Sequence, residues 1–175
     1  MVSEAAVREL TAAAHPLAEL LACPPRAGDL LAGAARLIRF DAACVVFRQH
    51  EPCMGLRVIV SGSLERKAER LHSRITLGTV RPGDLVELAA VLGDGIHTYT
   101  LTAVVAGSLL MLPIETLGRA FEIYPPLRMH LLEELAREVS RAYIKCCLDR
   151  INGRFNNRIN AHASARHRRA GQNAV

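Results

Sequence analysis

Residues Pro82–Ala103 hold the densest group of side chains suited to chemistry in this sequence. The segment reads as a turn, a short helix over Glu87–Val91, a glycine loop, and a strand that opens with His97 and Thr98. Free backbone N–H groups at the start of a short helix favour an anion. A cationic or hydroxyl side chain at the start of the next strand would close such a site. The segment therefore indicates a pocket for an anionic ligand, with the Glu87 carboxylate at its edge.

Short strands must position this pocket, because the hydrophobic period shortens to that of β-structure between Phe40 and Leu112. Turn-forming groups rich in Gly, Pro, Ser and Asp separate the strands. Several short strands at near-even spacing predict a small antiparallel barrel or sandwich. The predicted strands are Cys44–Phe47, Leu56–Val60, Leu64–Ala68, Ile75–Leu77, His97–Val105 and Ser108–Leu112.

The segment before the strands, residues 1–39, has a helical pattern. Ser3 begins an amphipathic stretch as a capping residue, and Pro24–Pro25 ends the helical piece that precedes it. A second short helix is predicted over Asp29–Ile38. Its apolar side chains share one face, and they are Leu30, Leu31, Ala34 and Leu37.

A long helix is predicted from Tyr124–Pro125–Pro126 to about Asp149, after a shorter one over Ile114–Ile123. Apolar residues recur along it at steps of four, four, four, three and four, which suits pairing with a partner helix. The alternative is that this stripe packs on the chain's own barrel. We favour a dimer interface formed by Leu127, Leu131, Leu135, Val139, Ala142 and Cys146.

Phe40–Asp149 resembles the cyclic-nucleotide-binding domain of the Crp/Fnr regulator family. The resemblance is carried by the glycine-spaced strands Leu56–Leu64, by the cassette-like Pro82–Ala103, and by Tyr124–Pro125 followed by a long helix. It implies an α+β fold, namely a β-roll (a double-stranded β-helix or jelly roll) with N-terminal helices and a long C-terminal dimerisation helix. The implied organisation is a helical segment 1–39, a β-roll with its long helix over 40–149, and a basic, disordered tail over 150–175.

Carried over residue by residue, the resemblance implies that Glu87 binds a ribose 2′-hydroxyl, next to Leu88. Val86 stands where the family has a glycine, and His97 stands where it has the arginine that pairs with the cyclic phosphate. Thr98 keeps the hydroxyl that follows that arginine. The family's base-contacting pair corresponds to Ala142 and Tyr143 on the long helix.

These departures predict a weakened nucleotide pocket. Arginine carries a permanent charge and forms bidentate hydrogen bonds to a phosphate. Histidine, with an ordinary pKa of about 6.5, is mostly neutral at pH 7. A charge-assisted hydrogen bond contributes roughly 1.5–3 kcal/mol, so its loss weakens binding about ten- to a hundredfold. Two other interpretations compete: Glu87 caps its short helix electrostatically, and His97 lies on a strand surface. For His97 we favour the strand surface over an anion ligand.

Charge and cysteine usage limit the function further. The chain has 175 residues and a net charge of +5, but six of its 22 basic residues follow Asp149, where no acidic residue occurs. The globular part is therefore nearly neutral, and the high pI does not indicate a nucleic-acid-binding domain. Five scattered cysteines without C-x-x-C spacing predict buried free thiols rather than disulfides, redox pairs or metal sites.

The combined prediction is a cytoplasmic, homodimeric sensory domain with a degenerate or retuned pocket, which binds a cyclic nucleotide if it binds any cofactor. No secretory signal or membrane span is present, and no motif indicates an enzyme. The alternatives are a ligand-free dimerising module that binds another protein, and the sensor part of a DNA-binding regulator. Residues after Asp149 resemble only the start of a winged helix-turn-helix, so we expect no specific DNA binding from this chain.

Overall fold

The computed structural model describes residues 17–70, 73–144 and 146–148. The chain divides into two compact units, Met1–Glu133 and Glu134–Val175. The first unit contains all the strands and the predicted pocket, and the second contains most of the long helix. The predicted start at Ser3 and the predicted tail 150–175 lie outside the described residues, and the predicted division at 39/40 and 149/150 stays a prediction.

Antiparallel β-structure dominates the first unit, as the sequence predicts. The elements are α1 (Pro25–Ala34), β1 (Arg36–Phe40), β2 (Val45–Phe47), β3 (Gly55–Arg70), β4 (Ser73–Val80), β5 (Leu85–Val86), α2 (Leu88–Leu92), β6 (Thr100–Pro113), α3 (Ile114–Ile123) and α4 (126–144, continuing at 146–148). The sheet order is β1-β6-β3-β4, while β2 pairs with β6 and β5 pairs with β3. The long strands β3 and β6 pair with each other, and each of the other four strands pairs with one of them.

Two pairs of predicted strands are single continuous strands in the structure. The segments predicted as turns, around Gly62 and Gly107, are irregularities inside β3 and β6, where the pairing register shifts. Gly62 has φ +88°, and a Cβ on Gly107 would lie 2.2 Å from the Ser61 carbonyl oxygen. Glycine is needed here because the two backbones approach closely while both strands bend. The glycines therefore bend the strands without ending them.

The helix predicted over Asp29–Ile38 is displaced in the structure. Its place is taken by α1, which begins at Pro25, and β1 already begins at Arg36. Proline fits the first position of a helix, where its missing N–H removes no intrahelical bond. At the other end Ala35 is extended, and the next residues pair with β6 as strand β1. Pro24–Pro25 therefore separates the preceding helical turn, which ends at residue 20, from a new helix that begins at Pro25.

The core lies on both faces of β6. Leu109 and Met111 belong to a buried cluster shared with β2, β3 and β5. Leu110 and Leu112 alternate with them and are also buried, so they point to the other face of the strand. Helices α1 and α3 pack against each other and against β6, which accounts for burial on the second face.

The predicted dimer stripe on α4 divides into a buried part and an accessible part. Leu127 and Leu131 have no exposed surface within the single chain, so a partner helix could bury nothing more on them. For these two residues the interface prediction is wrong, because the chain's own core covers them. In the second unit Leu135 is half-buried, and the rest of the stripe, Val139, Ala142 and Cys146, is exposed.

Among the described residues, no helix has both the length and the apolar character needed to cross a bilayer.

Candidate functional site

The turn before the candidate site is fixed on strand β3. Gly83 has φ +90° and donates its N–H to the Ile59 carbonyl at 2.9 Å, while Asp84 Oδ2 accepts the Arg81 N–H at 2.8 Å. Strand β5 follows directly, and Val86 pairs with Arg57 of β3. Val86 is buried in the main core. The strand ends there, and Glu87 is the first residue outside the sheet.

Glu87 has an unusual backbone conformation for a residue with a side chain. Its φ of 79° and ψ of 24° lie in the left-handed region, which non-glycine residues rarely adopt and which costs about 1–3 kcal/mol when the surroundings enforce it. Its carbonyl accepts the first hydrogen bond of α2, from Val91, but its side chain makes no capping hydrogen bond. The carboxylate points instead into the protein, and the whole residue is 4% exposed.

His97 lies in the loop before β6, which starts only at Thr100. Its N–H donates to the Glu51 carbonyl at 2.9 Å, and its carbonyl accepts the His50 N–H at 2.8 Å. The residue is 1% exposed, so the interpretation of His97 as a strand-surface residue is wrong. The backbone bonds to the segment that follows β2 hold His97 beneath the surface.

Glu87 and His97 form a buried polar pair. The distance from His97 Nδ1 to Glu87 Oε2 is 2.6 Å, and the two side chains are 1% and 0% exposed respectively. The Phe47 ring stacks on the imidazole with a centroid distance of 3.9 Å and an interplanar angle of 15°. Stacking and hydrogen bonding therefore fix the orientation of the imidazole together.

Arg57 on β3 places a buried cation next to the pair. Its guanidinium carbon lies 4.7 Å from the Phe47 ring centroid, and its Nη1 donates to the Gly55 carbonyl at 3.4 Å. Its Nε is buried and has no hydrogen-bond partner within the described part of the chain. Arg57 was not predicted as a site residue. The available signal was one charged residue between Leu56 and Val58 in a run that is otherwise apolar.

Burial raises the pKa of Glu87, because desolvation disfavours the carboxylate. The hydrogen bond and charge of His97, the charge of Arg57 and a hydrogen bond from Tyr99 all oppose this rise. The second oxygen, Oε1, is buried without a hydrogen-bond partner among the described residues. The carboxyl group is therefore held in the interior with only one of its two oxygens satisfied.

Cys53 completes the polar group around the pair. The residue is buried, and its thiol donates to the Gly55 carbonyl with a distance of 3.4 Å. Burial raises the pKa of this thiol, and the nearby Arg57 opposes the rise. Donor atoms of Cys53, Glu87 and His97 lie within 4.8 Å of one another. The thiol is free and buried, as predicted for all five cysteines. The prediction is wrong for Cys146, which is exposed, and Cys23, Cys44 and Cys147 are only partly buried.

The other predicted ligand-binding residues are less concentrated. Leu88 is buried at the start of α2, and Thr98 is exposed beside the buried His97. Ala142 and Tyr143 are exposed in the second unit. The structure therefore brings together Glu87 and His97, while ligand contacts of Val86 and of these four residues stay predictions.

Comparison with known proteins agrees with this fold. The sequence profile of the cyclic nucleotide-binding domain matches residues 37–124, half of the chain. The chain belongs to the cyclic nucleotide-binding domain family. The predicted resemblance is thereby confirmed, and the Glu87–His97 pair lies within the matched part of this domain. Among curated proteins, none matches the sequence.

Solved structures of regulators share the fold of this domain. The catabolite activator protein of Thermus thermophilus is 23% identical with a TM-score of 0.63, and the match covers 71% of this chain and 59% of that one. The regulatory domain of Toxoplasma gondii PKA, solved with cAMP, is 20% identical with a TM-score of 0.60 and coverages of 69% and 46%. The chain thus spans less than two thirds of these two proteins.

The sensor domain of the transcriptional regulator DNR from Pseudomonas aeruginosa is closer in size to this domain. It is 23% identical with a TM-score of 0.63, and the match covers 77% of this chain and 89% of that one. At such identities the three likenesses show a common fold.

Proposed function

We propose that this protein is a homodimeric sensory and regulatory domain of the Crp/Fnr type, rather than an enzyme, and that its nucleotide pocket is degenerate. The observation that carries the proposal is the 2.6 Å contact between two fully buried side chains, Glu87 and His97. Both residues stand at positions where the family resemblance places nucleotide contacts.

The Glu87 carboxylate and the His97 imidazole, which a cyclic nucleotide would have to contact, are already bound to each other. A ribose hydroxyl would have to compete with His97 for Glu87 Oε2, and a cyclic phosphate would face an imidazole already bound to a carboxylate. Leaving a buried polar group without its hydrogen-bond partner costs about 1–3 kcal/mol. At about 1.4 kcal/mol per tenfold change, the need to separate the pair would weaken nucleotide binding by up to about a hundredfold.

Dimerisation is supported by the second unit considered by itself. Leu135, Val139, Ala142 and Cys146 follow one another at helical spacing and keep accessible surface. Tyr143, beside them, is 71% exposed. An apolar stripe of this kind on a helix is suited to packing against its equivalent on a second chain.

A thermal melt in the presence of chelator tests the pocket. The purified chain is heated alone and with millimolar cAMP, cGMP and cyclic dinucleotides. A ligand present at one hundred times its Kd would stabilise the fold by about 2.7 kcal/mol, a shift of several degrees. We expect no shift with any of them. A shift that disappears in Thr98→Ala would contradict a degenerate pocket and indicate a retuned one.

Light scattering after size-exclusion chromatography tests the dimer. We expect twice the chain mass of 19.1 kDa, and a monomer for Val139→Glu because a charge cannot be buried cheaply in an apolar seam. Ser140→Glu is the matched control: it adds the same charge at the next, exposed position, on a different helix face. A monomeric parent chain would refute the dimer. A dimer that no nucleotide stabilises is the result that we expect, and it leaves assembly, or a ligand other than a nucleotide, as the role of this domain.

A further inference from the structure

Three side chains with different donor atoms converge in the interior of the β-roll. They are the thiol of Cys53, the carboxylate of Glu87 and the imidazole of His97, and their donor atoms lie within 4.8 Å of one another. All three residues are buried, unlike the surface acidic clusters that occur without any ligand. They come from the loop before β3, the start of α2 and the loop before β6.

We propose that Cys53, Glu87 and His97, here called the Cys53 cluster, bind one zinc-class divalent metal ion. Thiolate, imidazole and carboxylate are the donors that Zn²⁺ uses, with bonds of about 2.3 Å to sulfur and 2.0–2.2 Å to nitrogen and oxygen. Mg²⁺ and Ca²⁺ instead prefer a set made only of oxygen. The mixed donor set therefore selects a borderline-soft ion such as Zn²⁺ or Co²⁺.

The unsatisfied oxygen of Glu87 supports this proposal independently of the clustering. Oε1 is buried and has no hydrogen-bond partner among residues 17–70, 73–144 and 146–148, whereas a buried polar atom of this kind normally has one. A metal ion at the Cys53 cluster would supply that missing partner. The Gly55 carbonyl also lies next to the Cys53 cluster, because it accepts hydrogen bonds from the Cys53 thiol and from Arg57.

The rearrangement that metal binding requires is small. Nitrogen and oxygen ligands of a tetrahedral Zn²⁺ are separated by about 3.3 Å, given bonds of about 2.0–2.1 Å. The present 2.6 Å contact between Glu87 and His97 would open by less than about 1 Å on that basis. The stacked Phe47 ring already fixes the imidazole plane, so little ordering remains to be done on binding.

The charges of the Cys53 cluster are compatible with a dication. A Cys53 thiolate and a Glu87 carboxylate together cancel the two positive charges of the metal. The thiol proton, and the proton shared between His97 Nδ1 and Glu87 Oε2, leave these donor atoms on binding. Arg57 then retains the net positive charge of the group. It would act as an outer-shell hydrogen-bond donor to the metal-bound thiolate. The proposal rests on these contacts alone and is independent of whether a nucleotide binds.

Titration with Co²⁺ tests the proposal on the full chain, after removal of bound metal with a chelator. We expect one Co²⁺ per chain, a thiolate-to-cobalt charge-transfer band, and visible bands typical of tetrahedral coordination, all displaced by Zn²⁺. In Cys53→Ser the charge-transfer band is lost. The affinity of Cys53→Ser for Co²⁺ falls by more than the roughly 10–100-fold that loss of an outer-shell partner costs. Cys23→Ser, which removes a half-buried thiol that is not part of the Cys53 cluster, leaves the titration unchanged.

X-ray absorption spectroscopy of the zinc-loaded parent chain gives a test that needs no variant. We expect one sulfur at about 2.3 Å and nitrogen or oxygen donors at about 2.0–2.2 Å. Two or more sulfurs would assign the metal to other cysteines, and a shell without sulfur would remove Cys53 from the site. Either result overturns the proposal, as does Co²⁺ binding of equal affinity in Cys53→Ser and the parent chain.

Discussion

Replacing His97 with phenylalanine should destabilise the fold by leaving the Glu87 carboxylate buried without its principal donor. Phenylalanine keeps an aromatic ring for stacking on Phe47, whose centroid lies 3.9 Å from that of His97, so the loss reflects the missing N–H. Leaving a buried polar group without its partner costs about 1–3 kcal/mol, and more when the group is charged. Arg57 and Tyr99 also stabilise the carboxylate, but its side chain is 0% exposed, and we expect a loss of about 3 kcal/mol.

Urea unfolding followed by circular dichroism measures this loss, with chelator present so that no metal contributes. With an m-value of about 1–3 kcal/mol/M, a loss of about 3 kcal/mol lowers the midpoint by roughly 1–3 M. The double variant Glu87→Met with His97→Phe should regain at least about 1.5 kcal/mol, because replacing both partners by apolar groups is often close to neutral. His50→Asn is the control: His50 is exposed and has φ 70°, which asparagine tolerates.

Two outcomes would refute this reasoning. A loss below about 1 kcal/mol in His97→Phe would mean that the carboxylate finds another partner or reaches water. Strictly additive effects in the double variant would mean that Glu87 and His97 are not energetically coupled. The control should remain within about 0.5 kcal/mol of the parent, as surface substitutions usually do.

Two further predictions concern the strand bend and the thiols. Gly107→Ala should destabilise the fold by about 1–3 kcal/mol in the same urea assay, because its Cβ would clash with the backbone of Ser61. Gly33→Ala, whose Cβ would meet nothing within 4 Å, should instead stabilise by about 0.4–1 kcal/mol, and equal effects would contradict the close approach. Desolvation raises the pKa of Cys23, so near neutral pH it holds little reactive thiolate. Iodoacetamide should therefore label Cys23 more slowly in the folded protein than in the urea-unfolded protein, as mass spectrometry of partly labelled protein can show, and equal rates would contradict its partial burial.

The secondary-structure elements that depend on a short stretch of sequence were predicted well. The strand period, the proline at the start of α4 and the helix Ile114–Ile123 all appear in the structure, because periodicity and turn chemistry act over a few residues. The misplaced boundary at α1 has the same origin. The run after Ala35 can form a helix or a strand, and pairing with distant β6 decides for the strand.

The candidate site was predicted in part. Glu87 and His97 were singled out by the order of turn, helix, glycine loop and strand, and the structure places them in contact. Their burial was not predicted, and neither was the position of Arg57 and Cys53 beside them. Positions 53, 57, 87 and 97 have no spacing that indicates a common site, since they belong to different strands and loops.

The sequence by itself therefore determined the class of the fold, the family, and the segment where its chemistry lies. Tertiary structure alone decided that His97 is turned inward, that Glu87 adopts a left-handed backbone, and that Leu127 and Leu131 are covered by the chain's own core. The physical reason is that burial and charge pairing depend on contacts between residues far apart in sequence. Periodicity reports only which face of an element is apolar, and packing determines what covers that face.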